Sequence, residues 1–107
     1  MEISQYQIIL VNLDPTTGSE IKKTRPCVVI SPNEMNRYLQ TIVIAPMTTS
    51  SKSYPTRVEI KHENKIGWVV LDQIRTIDKQ RIIKDLGNLS KPKIKEVKAI
   101  LKETYID

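Results

Sequence analysis

Leu13-Asp-Pro-Thr-Thr-Gly18-Ser-Glu20-Ile-Lys-Lys-Thr-Arg25-Pro-Cys-Val-Val-Ile-Ser31 wedges a polar, turn-forming and basic segment between two apolar runs. The upstream run, Tyr6 to Leu13, reads as a strand ending at Asp14-Pro15, because proline fixes φ and an aspartate can bond the backbone beyond it. Arg25 begins a second strand. Between them lie Gly18, suited to a position that needs positive φ, a carboxylate at Glu20, and cations at Lys22 and Lys23. The connection is about twice the usual loop length of roughly four to six residues, and that surplus marks a working loop.

Further strands lie downstream of this hairpin. Neither Tyr6 to Leu13 nor Pro26 to Ile30 alternates cleanly, as expected of strands buried on both faces. Ser31-Pro32-Asn33-Glu34 has a capping residue, a proline at the first helical position and a following carboxylate, so it predicts one short helical turn. Thr41 to Ala45 is a third strand closed by Pro46, followed by a polar loop from Met47 to Pro55. Thr56 to Lys61 alternates polar and apolar, the pattern of a strand with one wet face. His62 to Gly67 reads as the turn that leads into Trp68–Leu71, where Asp72-Gln73 interrupts the apolar run before Ile74 to Ile77. A short turn from Asp78 to Arg81 precedes a last strand, Ile82 to Leu89. From Ser90 as N-cap, Ile94, Val97, Leu101 and Tyr105 fall at helical spacing. The pattern predicts a single domain over residues 1–107, mainly β, most plausibly a small barrel with helical additions and an amphipathic C-terminal helix.

The formal charge of +5 favours an anionic partner, but the excess is local. Up to Asp78 there are 9 basic and 8 acidic residues, whereas from Lys79 to Thr104 there are 8 and 3, so most of the surplus belongs to the C-terminal helix and its approach. No apolar run approaches the roughly 18 residues of a membrane span and the N-terminus lacks a signal-peptide pattern, so a cytoplasmic protein without a membrane partner is expected. The one cysteine, Cys27, reads as a small core hydrophobe. With one histidine, His62, beside it in the composition, no Cys/His zinc site can be assembled.

Taken together, Asp14-Pro15-Thr16, Gly18-Ser19-Glu20, Arg25-Pro26 leading to Ser31-Pro32, Thr48-Thr49 with Ser51-Lys52 and Tyr54-Pro55, and Asp72-Gln73 resemble the MazF/PemK-type toxins of bacterial toxin–antitoxin pairs. The correspondence covers roughly residues 6 to 78. It implies an SH3-like small barrel with short helices, the MazF/CcdB-like toxin fold, assembled as a homodimer. It also implies metal- and cofactor-independent cleavage of single-stranded mRNA at short sequences, held off by a cognate antitoxin. The family's chemistry is attack of a ribose 2′-hydroxyl on the adjacent phosphorus, leaving a 2′,3′-cyclic phosphate and a 5′-hydroxyl. Its arginine–threonine catalytic pair falls on Arg25 and Thr48, and a loop acid used by some members falls on Glu20. An aspartate proposed as general base in one related toxin falls on Asp72, but the arginine and histidine that accompany it there fall on Val70 and Ser19.

Such chemistry builds charge on the non-bridging phosphate oxygens, which Arg25 can hold with a planar fork and Thr48 with a hydroxyl. Arginine stays protonated near neutrality, so the general base must be sought elsewhere, with Glu20 and Asp72 as the candidates. For RNA binding the candidates are Ser19, Lys22, Lys23, Thr49, Lys52 and Arg57 along the backbone, Tyr54 as a stacking platform, and Gln73 as a reader of base edges. The antitoxin is expected to lay an acidic, partly disordered C-terminal segment over this surface. Two alternatives differ in kind. One is a gyrase-inhibiting toxin of the same barrel, whose tryptophan-glycine-isoleucine ending is replaced here by Tyr105-Ile106-Asp107; the other is a non-catalytic RNA-binding barrel.

Overall fold

The computed structural model describes residues 2–14, 17–20, 23–50 and 53–107. Seven strands and two helices follow one another as β1 (Gln7–Asn12), β2 (Thr24–Val29), α1 (Asn33–Tyr38), β3 (Thr41–Thr48), β4 (Arg57–His62), β5 (Lys65–Val70), β6 (Arg75–Asp78), β7 (Ile82–Asn88) and α2 (Lys91–Tyr105). Single 3₁₀ turns at Leu71–Gln73 and Lys79–Arg81 flank β6. The strands pair antiparallel in the order β4-β5-β3-β2-β1-β7, with β6 added to β3. A mainly β fold with an amphipathic C-terminal helix is therefore what the chain adopts.

β3 is the strand on which this architecture turns. Its first half, Thr41 to Ile44, pairs with β6, while Met47 and Thr48 pair with Val69 and Trp68 of β5. Alternate residues of β3 enter two different cores: Ile42 and Ile44 join Ile9, Val11, Cys27 and Val29, whereas Ala45 and Met47 join Ile8, Val28, Val58, Ile60 and Val97. Burial on both faces is why β1 and β2 lack alternation. Ile8 of β1 and Ile60 of β4 share a core although three strands separate theirs in the sheet, so the sheet must curl around it. α2 covers that core with Val97, Ile94, Ile100 and Leu101, and the Tyr105 hydroxyl donates to the Leu71 carbonyl at 2.5 Å.

Several local expectations are corrected. Pro46 does not close the third strand, which runs on to Thr48 because the backbone changes partner there from β2 to β5. Ser31 does not cap α1 with its side chain; its hydroxyl bonds Asn36 and accepts the Val43 N–H at 3.0 Å, tying the helix to β3. Ser90 holds the N-cap position of α2 without a side-chain bond. The turn expected over His62–Gly67 is far tighter. His62 and Lys65 are Cα partners, leaving Glu63 and Asn64 as a two-residue connection with φ of 51° and 62°. Two successive positive φ values mark a type I′ turn, whose twist matches that of the strands it joins.

Cys27 is wholly buried, and burial pushes its thiol up to about 12 against the opposing pull of the Arg75 charge. Because the thiolate is the reactive form, native protein at pH 8 should resist iodoacetamide, and denatured protein should be alkylated readily. Mass spectrometry before and after denaturation checks this.

Candidate active site

Arg25 reaches the site through a break in the sheet. β2 and β3 pair at Val29↔Ile44, Val28↔Ala45 and Cys27↔Pro46, and there the ladder stops. Continued by two places, the same register would set Pro26 opposite Met47 and Arg25 opposite Thr48. The Ile30 N–H donates to the Val43 carbonyl, so after Val28↔Ala45 the next hydrogen-bonded pair would be Pro26 with Met47; Pro26 lacks the N–H that pair requires, and the strands part at this point. A cavity of about 220 Å³ opens in the gap. Arg25 and Pro26 line it from β2, Met47, Thr48 and Thr49 from the end of β3, and Glu63, Lys65, Ile66 and Gly67 from the β4–β5 hairpin.

Arg25 is half-buried, with Val11 of β1 as its backbone partner. The strand root behind it is pinned: the Leu13 N–H donates to the Lys23 carbonyl at 3.0 Å, and the Lys23 N–H to Asp14 Oδ1 at 2.8 Å. Asp14 thus bonds across the loop. Lys23 takes a left-handed φ of 70° to do so. On the facing strand the Thr48 hydroxyl accepts the Ser50 N–H at 3.1 Å and keeps its own proton to donate.

A second cavity, of about 260 Å³, is lined by Leu13, Glu20, Pro46, Asp72, Gln73, Ile74 and Arg75. The four residues expected to be catalytic therefore divide into two pairs, Arg25 with Thr48 and Glu20 with Asp72. Glu20 closes a tight turn around Gly18, whose φ is 59°, by accepting the Thr17 N–H at 2.6 Å. Asp72 is heavily engaged. It accepts the Thr56 hydroxyl at 2.9 Å and is gripped at two points by Arg57, Nε to Oδ1 at 3.2 Å and Nη2 to Oδ2 at 3.3 Å. Burial pushes the Asp72 carboxyl up, but the hydrogen bonds from Arg57 and Thr56 outweigh it and hold the group below the usual carboxylate range.

Tyr54 packs on the same arginine, with the Arg57 guanidinium 4.8 Å from its ring centre. Three residues singled out separately in the sequence, Tyr54, Arg57 and Asp72, thus form one cluster. Ser19 and Lys23 are exposed on the loop, Thr49 lines the first cavity and Gln73 the second. Lys22 and Lys52 lie outside the described residues. Sequence reasoning missed Glu63, Lys65 and Ile66 as walls of the Arg25 cavity, and Arg75, which donates to the Leu13 carbonyl at 3.4 Å, as a wall of its neighbour. Among the described residues no three His, Cys, Asp or Glu side chains converge as a metal site.

Residues 4–105 match the family model described as PemK-like, MazF-like toxin of type II toxin–antitoxin system. The chain is 38% identical over 96 residues to an endoribonuclease MazF of Staphylococcus saprophyticus, covering 84% of this chain and 80% of that one. Among solved structures, MazF of Deinococcus radiodurans superimposes with a TM-score of 0.85 at 25% identity, covering 96% of each chain. A MazE–MazF complex of the same organism gives 0.78 at 23% identity, covering 96% of this chain and 94% of that one, a likeness of fold. A match over nearly the whole length and a relative of this identity place the chain in the PemK-like, MazF-like toxin family of type II toxin–antitoxin systems.

Proposed function

We propose that this toxin is a sequence-specific, metal-independent endoribonuclease that cuts single-stranded mRNA in the cytoplasm and works as a homodimer neutralised by its antitoxin. The observation that carries the reading is the meeting of Arg25 and Thr48 on one cavity. There the arginine fork holds the two non-bridging oxygens of the scissile phosphate, and the Thr48 hydroxyl donates a further hydrogen bond as charge develops on them. The ribose 2′-oxygen attacks phosphorus in line with the departing 5′-oxygen, giving a 2′,3′-cyclic phosphate and a 5′-hydroxyl. Lys23, Ser19 and Thr49 track the RNA backbone, and Gln73 reads a base edge from the neighbouring cavity. Arg57 and Tyr54 contribute by holding Asp72 and, through it, the far wall.

The name of the staphylococcal relative supports the enzymatic half of this reading, and the match to a family of toxins of type II toxin–antitoxin systems supports the partner half. Purified protein incubated with a random-sequence RNA pool and excess EDTA should cut at a short shared sequence. The new 5′ ends should accept phosphate from a kinase without prior phosphatase treatment, and the 3′ ends should carry the cyclic phosphate. RNA that binds but stays whole would identify a non-catalytic barrel instead, and a need for divalent metal would overturn the chemistry.

A further inference from the structure

Gly67 lies inside a paired strand, where glycine costs backbone entropy and brings no side chain to pack. The usual reasons for keeping it there do not apply. Its φ is not positive, unlike those of Gly18 and Gly87, so its backbone is open to any residue. The β4–β5 ladder runs from Arg57↔Val70 to His62↔Lys65 without a register shift, with Ile60 opposite Gly67, so there is no bulge. No neighbour crowds the position either. Among the described residues, and apart from its chain neighbours, a Cβ added to Gly67 would meet Met47 Cε and the Thr48 carbonyl oxygen, both at 3.7 Å, which is ordinary van der Waals contact. What remains is the space itself. Gly67 lines the Arg25–Thr48 cavity with Pro26, Met47 and Ile66, an apolar wall beside the cationic Arg25. Two residues along β5, Val69 packs with Met47 in the core that α2 covers, and strand alternation gives Gly67 the same face. Gly67 is therefore the place where that face lacks a side chain. At the rim Ile66 is 59% exposed. A volume of about 220 Å³ is below the roughly 300–1,000 Å³ of sites for drug-sized ligands, and suits one flat ring.

We propose that Gly67 is a specificity-determining residue, whose missing side chain leaves the floor on which a nucleobase next to the scissile phosphate lies, an inference that rests on the reading of the Arg25–Thr48 cavity as an RNA-cutting site. The Met47 thioether and Ile66 pack against the base, as unstacked bases are held between apolar side chains elsewhere and as sulfur packs on aromatic rings. Seating the base in the cavity that Arg25 lines also holds the attached phosphate within reach of the guanidinium. A side chain at position 67 takes the place of the base, and Arg25 is not among the groups its Cβ would meet.

The test compares wild type with Gly67→Ala and Gly67→Val on one RNA cut site taken from the random pool, and on the same RNA with either base flanking the cut replaced by an abasic nucleotide. Both variants should fold, with urea midpoints at or above that of wild type, because a side chain replaces glycine in a strand; should Gly67→Val unfold, Gly67→Ala carries the test. On the intact RNA kcat/KM should fall by about 10- to 200-fold for Ala, the effect of one carbon in a fitted apolar pocket, and at least as far for Val. One abasic RNA should be cut poorly by wild type and no worse by either variant, since the base that the new side chain displaces is already gone. Folded variants that cut the intact RNA at the wild-type rate overturn the proposal. So does a loss of equal size on intact and abasic RNA, the mark of a structural role, and so does a wild type indifferent to both abasic changes. A wild-type protein that leaves all RNA whole overturns the site reading itself, and with it any role for Gly67.

Discussion

Replacing Arg25 with alanine should reduce kcat/KM for RNA cleavage by about 10²- to 10³-fold, equivalent to roughly 2.7–4 kcal/mol of lost transition-state stabilisation. Arg25 supplies fixed positive donors where phosphate charge grows, and no neighbour in its cavity duplicates a planar fork; Lys65 offers a point charge on the opposite wall. For the same reason Arg25→Lys should recover little of the activity. The fold should survive, since Arg25 is half-buried at the start of a strand and the cores lie beyond it at Cys27 and Val28. Single-turnover cleavage of the mapped site, paired with urea unfolding of each variant, checks both halves. An Arg25→Ala protein that cuts at the wild-type rate would remove this cavity from the chemistry.

Leu71→Ala should lower unfolding free energy by about 2–5 kcal/mol, a large share of the roughly 5–15 kcal/mol typical of a small domain. Leu71 is wholly buried where β5 ends and the 3₁₀ turn carrying Asp72 begins. It packs in the core that α2 covers, and its carbonyl accepts the Tyr105 hydroxyl. Truncation therefore opens a cavity beneath the joint between helix and hairpin. The urea midpoint should fall with the m-value unchanged, whereas Lys95→Ala, on the exposed face of α2, should stay within about 0.5 kcal/mol of wild type. An unchanged midpoint in Leu71→Ala would mean that α2 does not lock the fold through this contact.

Much of the fold was legible because burial leaves a direct imprint on residue type. The unbroken apolar runs of β1 and β2, the alternation of β4 and the helical spacing of Ile94, Val97 and Leu101 each report which faces are dry. The hairpin turn is legible within His62–Gly67, but its two-residue length is not, because neither Glu63 nor Asn64 is the glycine that marks so tight a connection. Pro46 was read as a stop, since proline is normally excluded from a paired strand; it survives where one neighbour is exchanged for another. Arg25 and Thr48 were suggested by family resemblance, but their opposition across a gap depends on a register that no local window contains. The separation of Glu20 and Asp72 from that pair, and the presence of Glu63 beside it, are likewise products of how the hairpin folds over the sheet.

The break between β2 and β3 also bears on how such a cleft can exist at all. Prying two strands apart ordinarily strands amide hydrogens that water or a neighbour must then satisfy. Here the residue whose N–H would continue the ladder, Pro26, carries no such hydrogen. The opening is thus an unfinished zipper whose next tooth was never made, and the ring that leaves it open also stiffens its lip, as Pro46 stiffens the other. Supplying the amide by Pro26→Val would give the sheet a means to close over the ground that a phosphate needs.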